Sequence, residues 1–127
     1  RDDTRSRMIG LFGASTGAAA ALVAAAARPE RVAAVVSRGG RPDLAGNALP
    51  AVRAPTLLIV GSLDTSVIGM NETAIRRLRA PAQLQIIPGA THLFEEPGAL
   101  EQVAYSAARF FQEHLGRPAD IQPGVHG

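Results

Sequence analysis

The 127-residue chain has no cysteine, no lysine and no tryptophan, and only one tyrosine. Lacking cysteine, it has no disulfides, no thiolate metal ligands and no cysteine nucleophile, and its redox compartment leaves no mark on it. A cytoplasmic location is the default expectation. Lacking lysine, it draws all 13 of its basic charges from arginine, so the pI is near 10.4 although the net charge is only +2. Arginine stays protonated at any ordinary pH. The arginines are scattered among 11 acidic residues, as on solvated helix faces, and form no basic footprint, so no nucleic-acid partner is expected. Long apolar runs are also missing. The tract Ala18 to Ala27, which includes Leu22 and Val23, stops at Arg28 and Pro29, far short of the roughly 20 residues of a membrane span. No membrane partner is expected. The chain opens on "RDDTRSR", with neither a methionine nor a signal-like apolar segment, and is expected to be a piece of something longer.

What is present is the composition of a globular protein: 46% hydrophobic residues, 19% charged, and nine prolines spaced as punctuation. The length suits one domain or part of one. Residues 1–115 read as a partial domain and 116–127 as a frayed tail. The run "RMIGLFGAS" reads as a strand, followed by a helix over about Thr16 to Ala27. "RVAAVVSRGG" is a second buried strand. Arg41 to Ala54 reads as a connection with at most a helical turn near Asn47 to Val52. Leu57 to Val60 is the clearest strand, and a helix is expected over about Asn71 to Arg79. Gln83 to Ile87 is the fourth strand. A final helix from Pro97 to Leu115 places Leu100, Val103, Ala107, Phe110 and Phe111 on one side. Strands alternating with helices predict an α/β domain, a mostly parallel sheet of about four strands with helices on both faces. Such sheets bind ligands at the carboxyl ends of their strands.

Chemistry-bearing residues fall at those ends. Gly13-Ala14-Ser15-Thr16-Gly17 matches G-x-S-x-G between a strand and a helix, where a nucleophile sits on a tight turn with its hydroxyl exposed. The N–H of Thr16 and the helix N-terminus would face negative charge developing beside Ser15, as half of an oxyanion hole. The bland reading is a chance match with a serine at a helix cap. A serine nucleophile needs a base. His114 lies on the last helix and His126 in the tail, both expected at the surface, whereas His92 in "PGATHLF" follows the fourth strand. The bland reading of His92 is a loop histidine bonded to backbone. Asp64 in "LIVGSLD" follows the third strand and would orient the imidazole. An aspartate there also often caps a helix, although the helix predicted to begin near Asn71 weakens that reading. The order Ser15, Asp64, His92 is that of α/β-hydrolases.

With these residues in place, "LFGASTGAAAAL", "VVSRGGRPDLA", "APTLLIVGSLD" and "PGATHLFEEPGALE" resemble the dienelactone hydrolase-like branch of the α/β-hydrolases. More narrowly, they resemble the hydrolase domain fused to phosphoribosyltransferases in some bacterial proteins. The resemblance covers about Met8 to Leu115. It implies Ser15 as nucleophile, His92 as general base and Asp64 as orienting acid. The reaction implied is acyl transfer to water from a small ester, lactone or thioester, with neither cofactor nor metal required. True dienelactone hydrolases use a cysteine nucleophile, so the lactone substrate does not carry over. Relative to the family, only the last four strands are here, and the second oxyanion donor comes from a loop that precedes them. The first strand would then expose an apolar edge to a missing N-terminal half or to a second copy. In "SRGGRPD", Arg38 and Arg41 are candidates to clamp a carboxylate or phosphate, unless they pair with Asp43, Glu95 or Glu96. A non-catalytic interaction or regulatory domain is the alternative function. Nucleotide binding is poorer, because "GLFGASTG" lacks the P-loop lysine and a proper G-x-G-x-x-G.

Overall fold

A computed structural model describes residues 8–115; the expected tail and His126 lie outside them. Four strands, β1 (Ile9–Ala14), β2 (Val32–Arg38), β3 (Thr56–Gly61) and β4 (Ala82–Ile87), form one parallel sheet in sequential order. Three α-helices connect or follow them: α1 (Thr16–Ala27), α2 (Thr65–Arg77) and α3 (Ala99–Leu115). α1 and α2 pack on one face and α3 on the other, giving the covered parallel sheet that the apolar strands predict.

The central strands β2 and β3 have few residues that face water. β3 is buried throughout, and β2 sends Ala34 and Val36 to the α3 face and Val35 to the α1 face. β4 is less buried than its place in the sequence suggested. It is an edge strand, and only Ile87 is fully covered. β1 is the other edge among the described residues, with Ile9, Leu11 and Phe12 half-buried.

Several boundaries differ from expectation. α2 begins at Thr65, six residues before the predicted start at Asn71, because Val67, Asn71 and Ala74 form a buried stripe at helical spacing that carries the helix through Gly69. Asn71 is therefore inside a helix and fully buried. The connection after β2 is more ordered than a single turn: Pro42–Ala51 is 3₁₀ helix, kinked at Gly46 (φ 53°), with Ala45 and Leu49 packed under α1. α3 starts at Ala99 rather than Pro97. Of the residues expected on its inner side, Val103, Ala107, Phe110 and Phe111 are buried, whereas Leu100 is 48% exposed. Phe111 lies over β1 where Gly10 leaves room, since a Cβ there would sit 2.5 Å from the ring.

Candidate active site

Register places the site. Ala14 aligns with Arg38, Arg38 with Ile59, and Gly61 with Ile87, so the four strands end at one level and the loops beyond them share one rim. Ser15 follows β1, Asp64 follows β3 after three residues, and His92 follows β4 after five.

Ser15 has φ 51° and ψ −124°, a conformation that L-residues avoid and that persists only where its surroundings over-determine it. They do so here. Its N–H donates to the Arg38 carbonyl (3.3 Å), and its own carbonyl accepts from Arg41 N–H (3.0 Å) and Ala18 N–H (3.2 Å). Gly13 makes the turn sterically feasible, because a Cβ there would overlap the Gly17 carbonyl and lie 2.7 Å from the Ala18 Cα. Ser15 occupies the N-cap position of α1 but makes no side-chain cap bond. Its hydroxyl donates instead to His92 Nε2 at 3.2 Å.

The other ring nitrogen completes a line. An ionised carboxylate only accepts hydrogen bonds, so His92 Nδ1–H donates to Asp64 Oδ2, at 2.7 Å, and Nε2 is left to accept from Ser15. Both ring nitrogens are thus engaged by side chains, and the backbone-bonded reading of His92 does not describe it. Asp64 is at the N-cap position of α2, contrary to the expectation of a helix starting further on, yet its side chain makes no cap bond. The His92 side chain is 40% exposed and the Asp64 side chain 14%. The acid is sheltered while the base meets the solvent face.

The loops meet because the backbone allows a close approach. A Cβ on Gly61 would overlap the Ala90 carbonyl, and Leu63 N–H and Ser62 N–H donate to Ala90 and Ile87 carbonyls, both at 3.0 Å. Glu96 closes the His92 loop by accepting from Thr91 N–H (3.1 Å) and Thr91 Oγ1–H (2.7 Å). The Thr91 hydroxyl bond holds the Glu96 carboxyl below the usual carboxylate range. Phe94, buried at φ 57°, sits beneath this loop beside Gly39. Glu96 and Phe94 escaped sequence reasoning as supports of His92. The one available signal was the clustering of Glu95 and Glu96 just after the histidine.

The remaining candidates separate. Thr16 is exposed and is the first residue of α1, where N–H groups have no intrahelical acceptor. Arg41 forms a bidentate pair with Asp43 (Nε–Oδ1 3.0 Å, Nη2–Oδ2 2.9 Å). The hydrogen bond raises the Arg41 pKa and lowers that of Asp43. This is the pairing weighed against substrate contact, and it engages the Nε and Nη2 edge of the guanidinium. Arg38 has no carboxylate partner among the described ion pairs; its guanidinium lies 5.9 Å from the Phe94 ring centroid. It lines an apolar cleft of about 410 Å³ with Phe12, Leu100, Val103 and Phe111. His114 is exposed on α3, its ring tilted against that of Phe110 with centroids 4.4 Å apart. Among the described residues no helix is long and apolar enough to cross a membrane, and no group of three or more His, Asp and Glu is placed to hold a metal ion.

A model of the dienelactone hydrolase family matches residues 1–116. Over 116 residues the chain is 60% identical to two Mycobacterium tuberculosis proteins, from strains CDC 1551 / Oshkosh and ATCC 25618 / H37Rv, each named "Putative phosphoribosyl transferase"; the match covers 91% of this chain and 26% of each of them. In three dimensions it is similar to the dienelactone hydrolase of Anabaena variabilis ATCC 29413, with 62% identity and a TM-score of 0.85, over 91% of this chain and 53% of that one. Its fold, at 18% identity, is also that of Est1E from Butyrivibrio proteoclasticus, solved with ferulic acid bound (TM-score 0.73, 87% and 61% covered). The chain spans about a quarter of the length of the mycobacterial relatives and about half of the Anabaena one. From strand-end serine to family model, the observations converge: the chain belongs to the dienelactone hydrolase family of α/β-hydrolases.

Proposed function

We propose that this chain carries the catalytic residues of a serine hydrolase acting on a small ester, lactone or thioester. The observation that carries the reading is the unbroken hydrogen-bonded line Ser15–His92–Asp64 at the carboxyl ends of three parallel strands. In the first half-reaction His92 Nε2 takes the Ser15 proton as Oγ bonds to the acyl carbon, and the carbonyl π pair moves onto oxygen. Thr16 N–H donates to that oxygen. Collapse of the tetrahedral intermediate breaks the bond to the alcohol or thiol, which leaves with the proton held by His92. In the second half, His92 takes a proton from water as the hydroxide attacks the acyl-enzyme, and Ser15 recovers its proton on departure. Asp64 stays ionised and holds the tautomer throughout.

Membership of a hydrolase family supports a hydrolytic reaction. Arg38, at the rim and free of a carboxylate partner among the described residues, would receive a carboxylate or phosphate on the substrate. The test is a panel of short-chain aryl esters, lactones and acyl thioesters, assayed with the wild-type chain, Ser15→Ala and His92→Ala. Turnover of at least one class, lost in both variants, is the expected result. A folded chain that is inert to all classes and also takes up no fluorophosphonate would point to the non-catalytic, regulatory reading of the domain.

A further inference from the structure

Asn71 is a buried polar side chain that the chemistry above leaves unused. It is 0% exposed near the middle of α2, where an apolar residue would pack at less cost. Its Nδ2 group donates to two carbonyls, that of Val67 in its own helix (2.8 Å) and that of Gly40 in the loop after β2 (3.1 Å). Its Oδ1 has no partner among the described residues, so the amide is buried with only its donor side satisfied. A buried group of this kind calls for an explanation.

The bond to Gly40 leads to the nucleophile. The Gly40 carbonyl and the Arg41 N–H are two ends of one peptide unit, and Arg41 N–H donates to the Ser15 carbonyl at 3.0 Å. The Ser15 carbonyl and the Thr16 N–H are in turn two ends of the next unit. A peptide is planar, so fixing the carbonyl fixes the direction of the opposite N–H. Hydrogen bonds in series also polarise one another. The line Asn71 Nδ2–H to Gly40 C=O, Arg41 N–H to Ser15 C=O, ends at Thr16 N–H, which has no intrahelical acceptor. The loop that carries this line is closely packed and tied to the sheet. A Cβ on Gly40 would overlap Ser37 Oγ and Ala18 Cβ, and Gly39, at φ 54°, donates to the Ile59 carbonyl at 2.7 Å.

We propose that Asn71 is a positioning residue that, through the Gly40–Arg41 and Ser15–Thr16 peptides, aims the Thr16 N–H at the oxygen on which charge develops. The inference rests on the serine-hydrolase reading for its chemical consequence, while its structural content stands by itself. Two measurements on the 127-residue chain separate the two. Asn71→Asp keeps the shape and replaces the two N–H donors by a carboxyl, which only accepts when ionised; Asn71→Leu removes both polar atoms. Ala74→Gly weakens the same helix without touching the line.

In ¹⁵N NMR the Asn71 variants are expected to shift the Arg41 and Thr16 amide resonances and to speed exchange of the Arg41 amide; Ala74→Gly is expected to leave all three unmoved. In kinetics of fluorophosphonate labelling, the plateau rate of the Asn71 variants is expected to fall about tenfold, the scale of one weakened hydrogen bond. An unmoved Thr16 resonance in both Asn71 variants overturns the proposal, as does a shifted resonance with an unchanged labelling rate. A wild-type chain inert to the fluorophosphonate overturns the hydrolase reading instead, and the NMR result alone then decides the relay.

Discussion

At the scale of single residues, the account depends on which groups share protons. Asp64→Asn keeps the size of the side chain but reverses the tautomer that His92 adopts, because the new amide can donate to Nδ1. Where that exchange is made in a serine triad the rate falls by about 10⁴, and a loss of that order is expected in ester turnover here, with folding read independently by circular dichroism. The Arg41–Asp43 pair gives a stability prediction instead. The folded-state pKa of Asp43 is lowered chiefly by its hydrogen bond to Arg41. Its contribution is therefore present above the ordinary carboxylate pKa and is lost as the pH falls through the folded value. Asp43→Asn should melt below the wild type at neutral pH, with the two melting temperatures converging in acid. A difference that is constant across the titration would contradict this pairing. The pair is partly exposed, so the difference at neutral pH should be small.

At the scale of elements, the two glycines of the G-x-S-x-G turn are expected to behave oppositely. Gly13→Ala drives a methyl group into the backbone of Gly17 and Ala18 and should cost about 1–3 kcal/mol in thermal or urea unfolding. Gly17 is within α1 and a Cβ there meets nothing within 4 Å. Gly17→Ala should stabilise the chain by about 0.5–1 kcal/mol. A shared sign for the two substitutions would show that the turn is packed differently. The same contrast indicates what could be read in the sequence. The strands and the first helix were legible because apolar runs bounded by Gly and Pro, and an alanine-rich tract, leave few alternatives. Ser15, Asp64 and His92 were legible because each falls just past a strand end, a position that register alone converts into proximity. The start of α2 was not, since Thr65, Ser66 and Gly69 are weak helix formers. What carries the helix there is the burial of Val67 and Asn71, a tertiary effect. Asn71 was hidden for the same reason: a polar residue placed at a helix start looks solvated until the helix is found to begin a turn and a half earlier.

At the scale of the whole molecule, the sheet among the described residues ends at β1, whose outward backbone groups and half-buried Ile9, Leu11 and Phe12 have β2 on one side only. Apolar edge strands recruit further strands. Sedimentation velocity is expected to show an average mass that rises with concentration, whereas a constant monomer mass would mean that the edge is covered within the chain. The chain spans about half of its Anabaena relative, and the proposed site assigns one oxyanion donor, Thr16. Absence of a second donor typically costs about 10²–10³ in rate, so slow turnover is compatible with an assembled triad. A stoichiometric probe is therefore more direct than a turnover assay. The decisive measurement is the intact mass of the chain after treatment with a fluorophosphonate, with Ser15→Ala and His92→Ala alongside. The account predicts a single adduct on Ser15 in the wild type and none in either variant; a folded wild-type chain that gains no mass, or an adduct that survives Ser15→Ala, would contradict it.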